Sequence, residues 1–174
     1  MTWISKQAIE SMRAEADRCY PLETGGVLVG YVADNAESVI LYVFGPGPNA
    51  SHRRRRFLPD HEWQCNQLNR LFEESNGRCV YLGDWHTHPD ATARMSWLDH
   101  RTLRAIAKHP EARLASPLML IGGSAPEAWN WLCHQYKGDR FLGLLTTVAN
   151  SDLHVFSQDG QESTLRYGLS RMPL

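Results

Sequence analysis

The chain has 174 residues, 43% hydrophobic and 21% charged, with a formal net charge of −1. That length suffices for one domain with a buried core, and so neutral a balance offers no bulk field for nucleic acid or an anionic membrane. No apolar run approaches the roughly 18 residues that span a bilayer. Four cysteines without any CxxC pair read as reduced, mostly buried thiols of a cytoplasmic protein, not as a disulfide framework.

The N-terminal stretch MTWISKQAIESMRAEADRCY lacks the continuous apolar core of a signal peptide. Within it, Ala8, Ile9, Met12 and Ala16 recur at helical spacing behind Ser5 as a cap, which predicts a helix. GGVLVGYV and ESVILYVFG, separated by a short turn, predict two strands of a hairpin. GPGPNASHRRRR predicts a loop broken by Pro46 and Pro48. DHEWQCNQLNRLFEESNG predicts a second helix, with Trp63, Leu68, Leu71 and Phe72 on one face and Gly77 as its stop.

RCVYLGDWH predicts an apolar strand. SWLDHRTLRAIAKHP predicts a third helix, with Leu103, Ile106 and Ala107 inward and Pro110 at its end. PLMLIGG and AWNWLCHQY predict neighbouring strands, and the alternation of Trp129 and Trp131 predicts one buried face. From RFLGLL, beginning at Arg140, onward no element is clearly legible, and the tail is expected to fray. Helices interleaved with hairpins predict a mixed β-sheet flanked by helices rather than regular βα units.

The chemistry concentrates in GDWHTHPDATARMSWLD, Gly83 to Asp99. On a strand, residues i and i+2 share a face, so His86 and His88 can look at one metal ion while Thr87 turns away. Pro89 biases His88 to stay extended. Imidazoles suit zinc, and a catalytic zinc usually takes three protein ligands plus a water. Asp84, Asp90, Asp99 and His100 are candidates for the third ligand, and spacing alone does not choose among them. Ser96-x-x-Asp99 is also close to a capping box, which is ordinary helix chemistry.

His86-Thr87-His88-Pro89 followed by Ser96-x-x-Asp99 resembles the signature of the JAMM, or MPN-type, metalloprotease family. Gly83 and Trp85 fit its lead-in. Glu23-Thr24-Gly25-Gly26-Val27-Leu28-Val29-Gly30 resembles that family's glutamate-bearing segment. The resemblance implies an α/β fold, a single-domain mixed sheet flanked by helices over residues 1–174, JAMM/MPN-like and cytidine-deaminase-like in architecture, with the region from about 150 unassigned.

It also implies that His86, His88 and Asp99 bind Zn2+, that Glu23 is the general base, and that Ser96 supports the oxyanion of the tetrahedral intermediate. In that scheme Asp99 serves the metal rather than the cap. The implied activity is hydrolysis of the isopeptide or peptide bond after the C-terminus of a ubiquitin-like modifier, in conjugation, sulfur-carrier or anti-phage systems. The implied partner is that modifier or a protein conjugated to it.

A ligand-free MPN-like scaffold is the alternative from another class, and zinc content separates the two. A (β/α)₈ hydrolase needs about 250 residues. A DNA-repair-associated relative of the same fold would bind DNA in moderate salt. Arg53 to Arg56 reads as a solvated basic loop, with a clamp on an extended tail or an acidic partner as the sharper reading. His61-Glu62 does not open a zinc HExxH motif, because position 65 is Cys65. His52, His109, His134 and His154 read as surface or satisfied core residues.

Overall fold

The structure is a computed structural model that describes residues 1–140 and 145–157. An eight-stranded mixed sheet forms its centre, in the order β10-β1-β3-β2-β6-β7-β8-β9. These strands are β1 (Thr2–Ser5), β2 (Gly25–Val32), β3 (Ser38–Phe44), β6 (Val80–Pro89), β7 (Leu118–Ser124), β8 (Asn130–Arg140), β9 (Leu145–Ser151) and β10 (Leu153–Phe156). The helices are α1 (Lys6–Cys19), α2 (His61–Glu74) and α3 (Trp97–Lys108). No described helix is long and apolar enough to cross a membrane.

The mixed sheet with flanking helices is the architecture the sequence predicts. β2 pairs antiparallel with β3 and β6, while β6 pairs parallel with β7. β1 is an addition to the sequence reading. At four residues it is too short to show periodicity, and its parallel pairing with β3 and β10 comes from chain-distant partners.

Alternation along the strands assigns the two faces, and a register shift in the β2–β6 pairing, between Gly83 and Tyr81, puts Leu82 on the same face as Trp85. Leu28, Ile40, Leu82, Trp85, Leu118 and Leu120 pack with Ile4, Ala8, Ile9 and Met12 in one core. Ser5 caps α1 as expected, its Oγ accepting from the Ala8 N–H at 3.1 Å. The opposite face carries two smaller cores. Val27 and Val29 pack with Leu71 of α2, and Met119 and Ile121 pack with Leu103 of α3. Leu103 is fully buried, and its burial contributes about 1.5–3 kcal/mol to docking α3. Arg104 and Lys108 also hold Asp139 of β8 at 2.9 and 2.6 Å.

Two local readings change. Phe72 is exposed, and Gln64 with Leu71 forms the buried face of α2. Gln64 is tolerated inside because its amide donates to the Gly45 carbonyl at 2.9 Å. The arginine run is a hairpin instead of a loop. β4 (Ser51–Arg53) pairs antiparallel with β5 (Arg56–Leu58), and Arg54-Arg55 forms the turn. Of the thiols, Cys79 and Cys133 are buried while Cys19 and Cys65 are half-buried, and all four are free.

Candidate metal centre

Strand register decides where the histidines point. His86 lies opposite Gly25 of β2 and Ile121 of β7, and Asp84 lies opposite Val27 and Met119. The polar side chains of β6 therefore emerge on the face that carries α2 and α3. Trp85 points the other way, into the main core. Gly25 makes this crowding feasible, since a Cβ there would meet His86 Cβ and Phe57 Cε1, both at 2.9 Å.

The start of α3 supplies the third group. Asp99 Oδ1 is 3.2 Å from His86 Nε2, Asp99 Oδ2 is 3.5 Å from His88 Nε2, and the two Nε2 atoms are 3.1 Å apart. These three residues are the group among the described residues whose ligand atoms converge well enough for a metal ion. Ligands about 2.0–2.2 Å from a tetrahedral cation lie about 3.3–3.6 Å from one another. The two Nε2 atoms and the nearer Asp99 oxygen to each stand at nearly those separations, although the two imidazoles face different oxygens of the carboxylate.

The donor set also fits. His88 Nδ1 faces the Thr92 carbonyl oxygen at 3.2 Å, so its proton sits there and leaves a lone pair on Nε2. Lone pairs from two imidazoles and a carboxylate would repel at these separations unless a proton or cation sits among them. Burial and the neighbouring His86 hold His88 below its ordinary pKa, which favours the neutral ring a metal requires.

Asp99 caps α3 and also faces the two imidazoles. Its Oδ2 accepts from the Ser96 N–H at 2.6 Å, and Ser96 Oγ accepts from the Asp99 N–H at 3.3 Å, a complete capping box. Asp99 is expected from the sequence to serve a metal rather than the cap; the capping box is nevertheless complete, and the same carboxylate stands beside both imidazoles. A carboxylate has four lone-pair sites, so Oδ1 faces His86 while Oδ2 both caps the helix and faces His88. Burial opposes ionisation of Asp99, but hydrogen bonds from His86 and Ser96 outweigh it and hold the carboxyl far below the usual range.

The other candidate ligands go elsewhere. Asp84 accepts from Tyr81 Oη at 2.7 Å, and Asp90 accepts from Tyr20 Oη at 2.7 Å on the far side of Pro89. His100 lies outside the cluster, its N–H bonded to the Ser96 carbonyl.

Glu23, Ser96, His86, His88 and Asp99 line one cavity of about 420 Å³, with Arg55, Arg56, Phe57, Leu58 and Leu98 around it. Burial raises the Glu23 carboxyl from 4.5 to about 7, with His86 opposing the rise and Asp99 adding to it. Its backbone is held on both sides by the β4–β5 hairpin. The Glu23 N–H donates to the Arg53 carbonyl at 2.9 Å, and His52 Nδ1 donates to the Glu23 carbonyl at 2.9 Å.

His52 was invisible in the sequence as a site residue. Its partner is a main-chain carbonyl 29 positions away, which no side-chain motif encodes. His134, by contrast, is the satisfied core histidine expected, bonded to the Ala93 carbonyl.

Residues 5–134 match the family described as prokaryotic homologs of the JAB domain. The chain is 40% identical over 139 residues to a protein of Sinorhizobium fredii named "Probable metalloprotease y4qB", covering 79% of this chain and 84% of that protein. It is 35% identical over 77 residues to a CD-NTase/cGAS isopeptidase of Escherichia coli, covering 44% of this chain and 49% of that one. A second protein of that name, from Enterobacter hormaechei, is 27% identical over 123 residues, covering 71% and 67% respectively. Among solved structures, protein DSY2949 from Desulfitobacterium hafniense shares the fold, with a TM-score of 0.67 at 23% identity over 91% of this chain and 94% of that one.

Proposed function

Because the chain belongs to the family of prokaryotic JAB-domain homologs, we propose that it is a zinc-dependent isopeptidase that releases a ubiquitin-like modifier from a conjugated protein or matures its precursor. One observation carries this reading. The His86–His88–Asp99 triangle opens into the cavity that Glu23 and Ser96 also line. The relatives named metalloprotease and isopeptidase support the reaction class. The two relatives named CD-NTase/cGAS isopeptidase support a conjugated protein as the substrate.

His86, His88 and Asp99 would hold the cation, leaving a fourth position open. When bound, the cation polarises a carbonyl and lowers the pKa of a water towards about 7. Glu23, lining the same cavity, takes a proton from the attacking water and passes it to the leaving amine. The Ser96 hydroxyl accepts from the Asp99 N–H and still has its own proton to donate to the developing oxyanion. His88 stays oriented by its Nδ1 bond to Thr92. No side chain needs to form a covalent intermediate.

The test is cleavage of a ubiquitin-like protein joined through its C-terminal carboxylate to a lysine ε-amine. Wild type should release the modifier, and Glu23→Gln should keep its zinc but lose cleavage. Equal cleavage by both proteins contradicts the assignment of the base. Failure of zinc-loaded wild type on every isopeptide offered contradicts the reaction.

A further inference from the structure

The four arginines of the β4–β5 hairpin take no part in the mechanism above, yet two of them stand at its entrance. Arg55 and Arg56 line the cavity. Arg53, Arg54, Arg55 and Arg56 are all exposed, and none forms an ion pair among the described residues. Four adjacent guanidinium groups repel one another. They raise a strong local positive field on a chain whose net charge is only −1.

The hairpin is built into the site. Phe57 packs beside Gly25 and His52, and the Arg53 carbonyl and His52 ring hold the backbone of Glu23. Next to the arginines the rim is apolar. Leu58 and Leu98 line the cavity while 48% and 56% exposed.

We propose that this hairpin selects an acidic substrate: Arg55 and Arg56, with Arg53 and Arg54 beside them, engage Asp or Glu side chains on the polypeptide segment that enters the cavity. The inference rests on the isopeptidase reading and adds the charge of the substrate to it. Chain geometry sets the reach. An extended polypeptide advances about 3.3–3.6 Å per residue, so a carboxylate within about four residues of the scissile bond can meet a rim guanidinium. Arginine offers paired donors that match a carboxylate bidentately. A basic tail would be repelled, so the field also excludes wrong modifiers.

The experiment uses the zinc-loaded protein and fluorescent isopeptides of one length. Each has a C-terminal carboxylate joined to lysine, with three Glu, three Gln or three Lys among the residues before the bond. The expected order of kcat/KM is Glu over Gln over Lys, with about a tenfold step from Gln to Glu at low salt. That step narrows as ionic strength rises. In Arg55→Gln/Arg56→Gln it should collapse towards onefold, whereas Arg55→Lys/Arg56→Lys should retain part of it. Fluorescence anisotropy on the same peptides reads the preference without turnover.

If no peptide is cleaved but the Glu peptide binds wild type more tightly than the double Gln variant, the selector stands and the isopeptidase reading fails. Equal handling of Glu and Gln peptides overturns the selector, as does a preference that survives in Arg55→Gln/Arg56→Gln. Competition by a short single-stranded oligonucleotide as effective as the Glu peptide also overturns it, and assigns the patch to nucleic acid.

Discussion

Thr87 and Thr24 clasp each other. The Thr87 N–H donates to the Thr24 carbonyl at 2.9 Å, the Thr24 N–H donates to Thr87 Oγ1 at 3.0 Å, and the Thr87 hydroxyl donates back to that carbonyl at 3.4 Å. Thr87 is the residue between the two candidate metal ligands His86 and His88, and Thr24 follows the candidate base. The side chain that turns away from the His86–His88–Asp99 cluster thus fixes the segment carrying Glu23. Both threonines are fully buried.

Thr87→Val keeps the shape and the backbone bond but leaves the Thr24 N–H without its partner. An unsatisfied buried donor costs about 1–3 kcal/mol. Thermal unfolding of the zinc-free protein should fall by several degrees, while zinc stoichiometry stays at the wild-type value. An unchanged melting curve would show that the clasp contributes nothing.

Ser96→Gly separates capping from chemistry. Glycine at an N-cap costs only a few tenths of a kcal/mol, so the fold and zinc content should survive. Loss of an oxyanion donor lowers kcat by about 10²–10³-fold. Steady-state kinetics should show that drop mainly in kcat. Wild-type turnover would remove Ser96 from the mechanism.

His52→Ala tests the hold on Glu23. The variant loses the ring N–H that fixes the Glu23 carbonyl, and small displacements of a catalytic group cost up to about 100-fold. kcat should fall by about tenfold or more with zinc content unchanged. Methylated amine leaving groups of different pKa should respond differently from wild type if proton delivery is what suffers. A purely structural role would leave that response untouched.

Glu23 gives a pH dependence of known sign in the zinc-free protein. Its folded pKa of about 7 lies above the ordinary 4.5, chiefly through burial. The ionised form is therefore disfavoured in the fold. Stability is full below 4.5 and is lost as pH rises through about 7. Glu23→Gln has no such loss. Melting temperatures of wild type should drop relative to Glu23→Gln between pH 5 and 8, and zinc should narrow the gap by favouring the carboxylate. Parallel curves would contradict the burial.

Much of this was legible because side-chain periodicity and site spacing are local. His86-x-His88 on a strand and Ser96-x-x-Asp99 at a helix start each fix a geometry within one element, and the three helices were visible from their apolar faces. What depends on tertiary pairing was not legible. β1 is four residues whose partners are distant. The arginine hairpin gains its register by packing against Gly25 and Glu23, and Arg54-Arg55 carries no strong turn signal of its own. The choice of Asp99 over Asp84, Asp90 and His100 required the fold to bring α3 back onto β6. That Asp99 both caps α3 and faces the two imidazoles is not legible from Ser96-x-x-Asp99 alone, because the spacing reports the cap and says nothing of what stands opposite the carboxylate.

The central claim is that His86, His88 and Asp99 form one zinc site. Metal analysis of purified wild type and His88→Ala, each equilibrated with zinc and freed of excess, tests it most directly. Wild type should carry about one zinc per chain, and the folded variant should lose nearly all of it. Equal zinc in both, or none in a well-folded wild type, would contradict it.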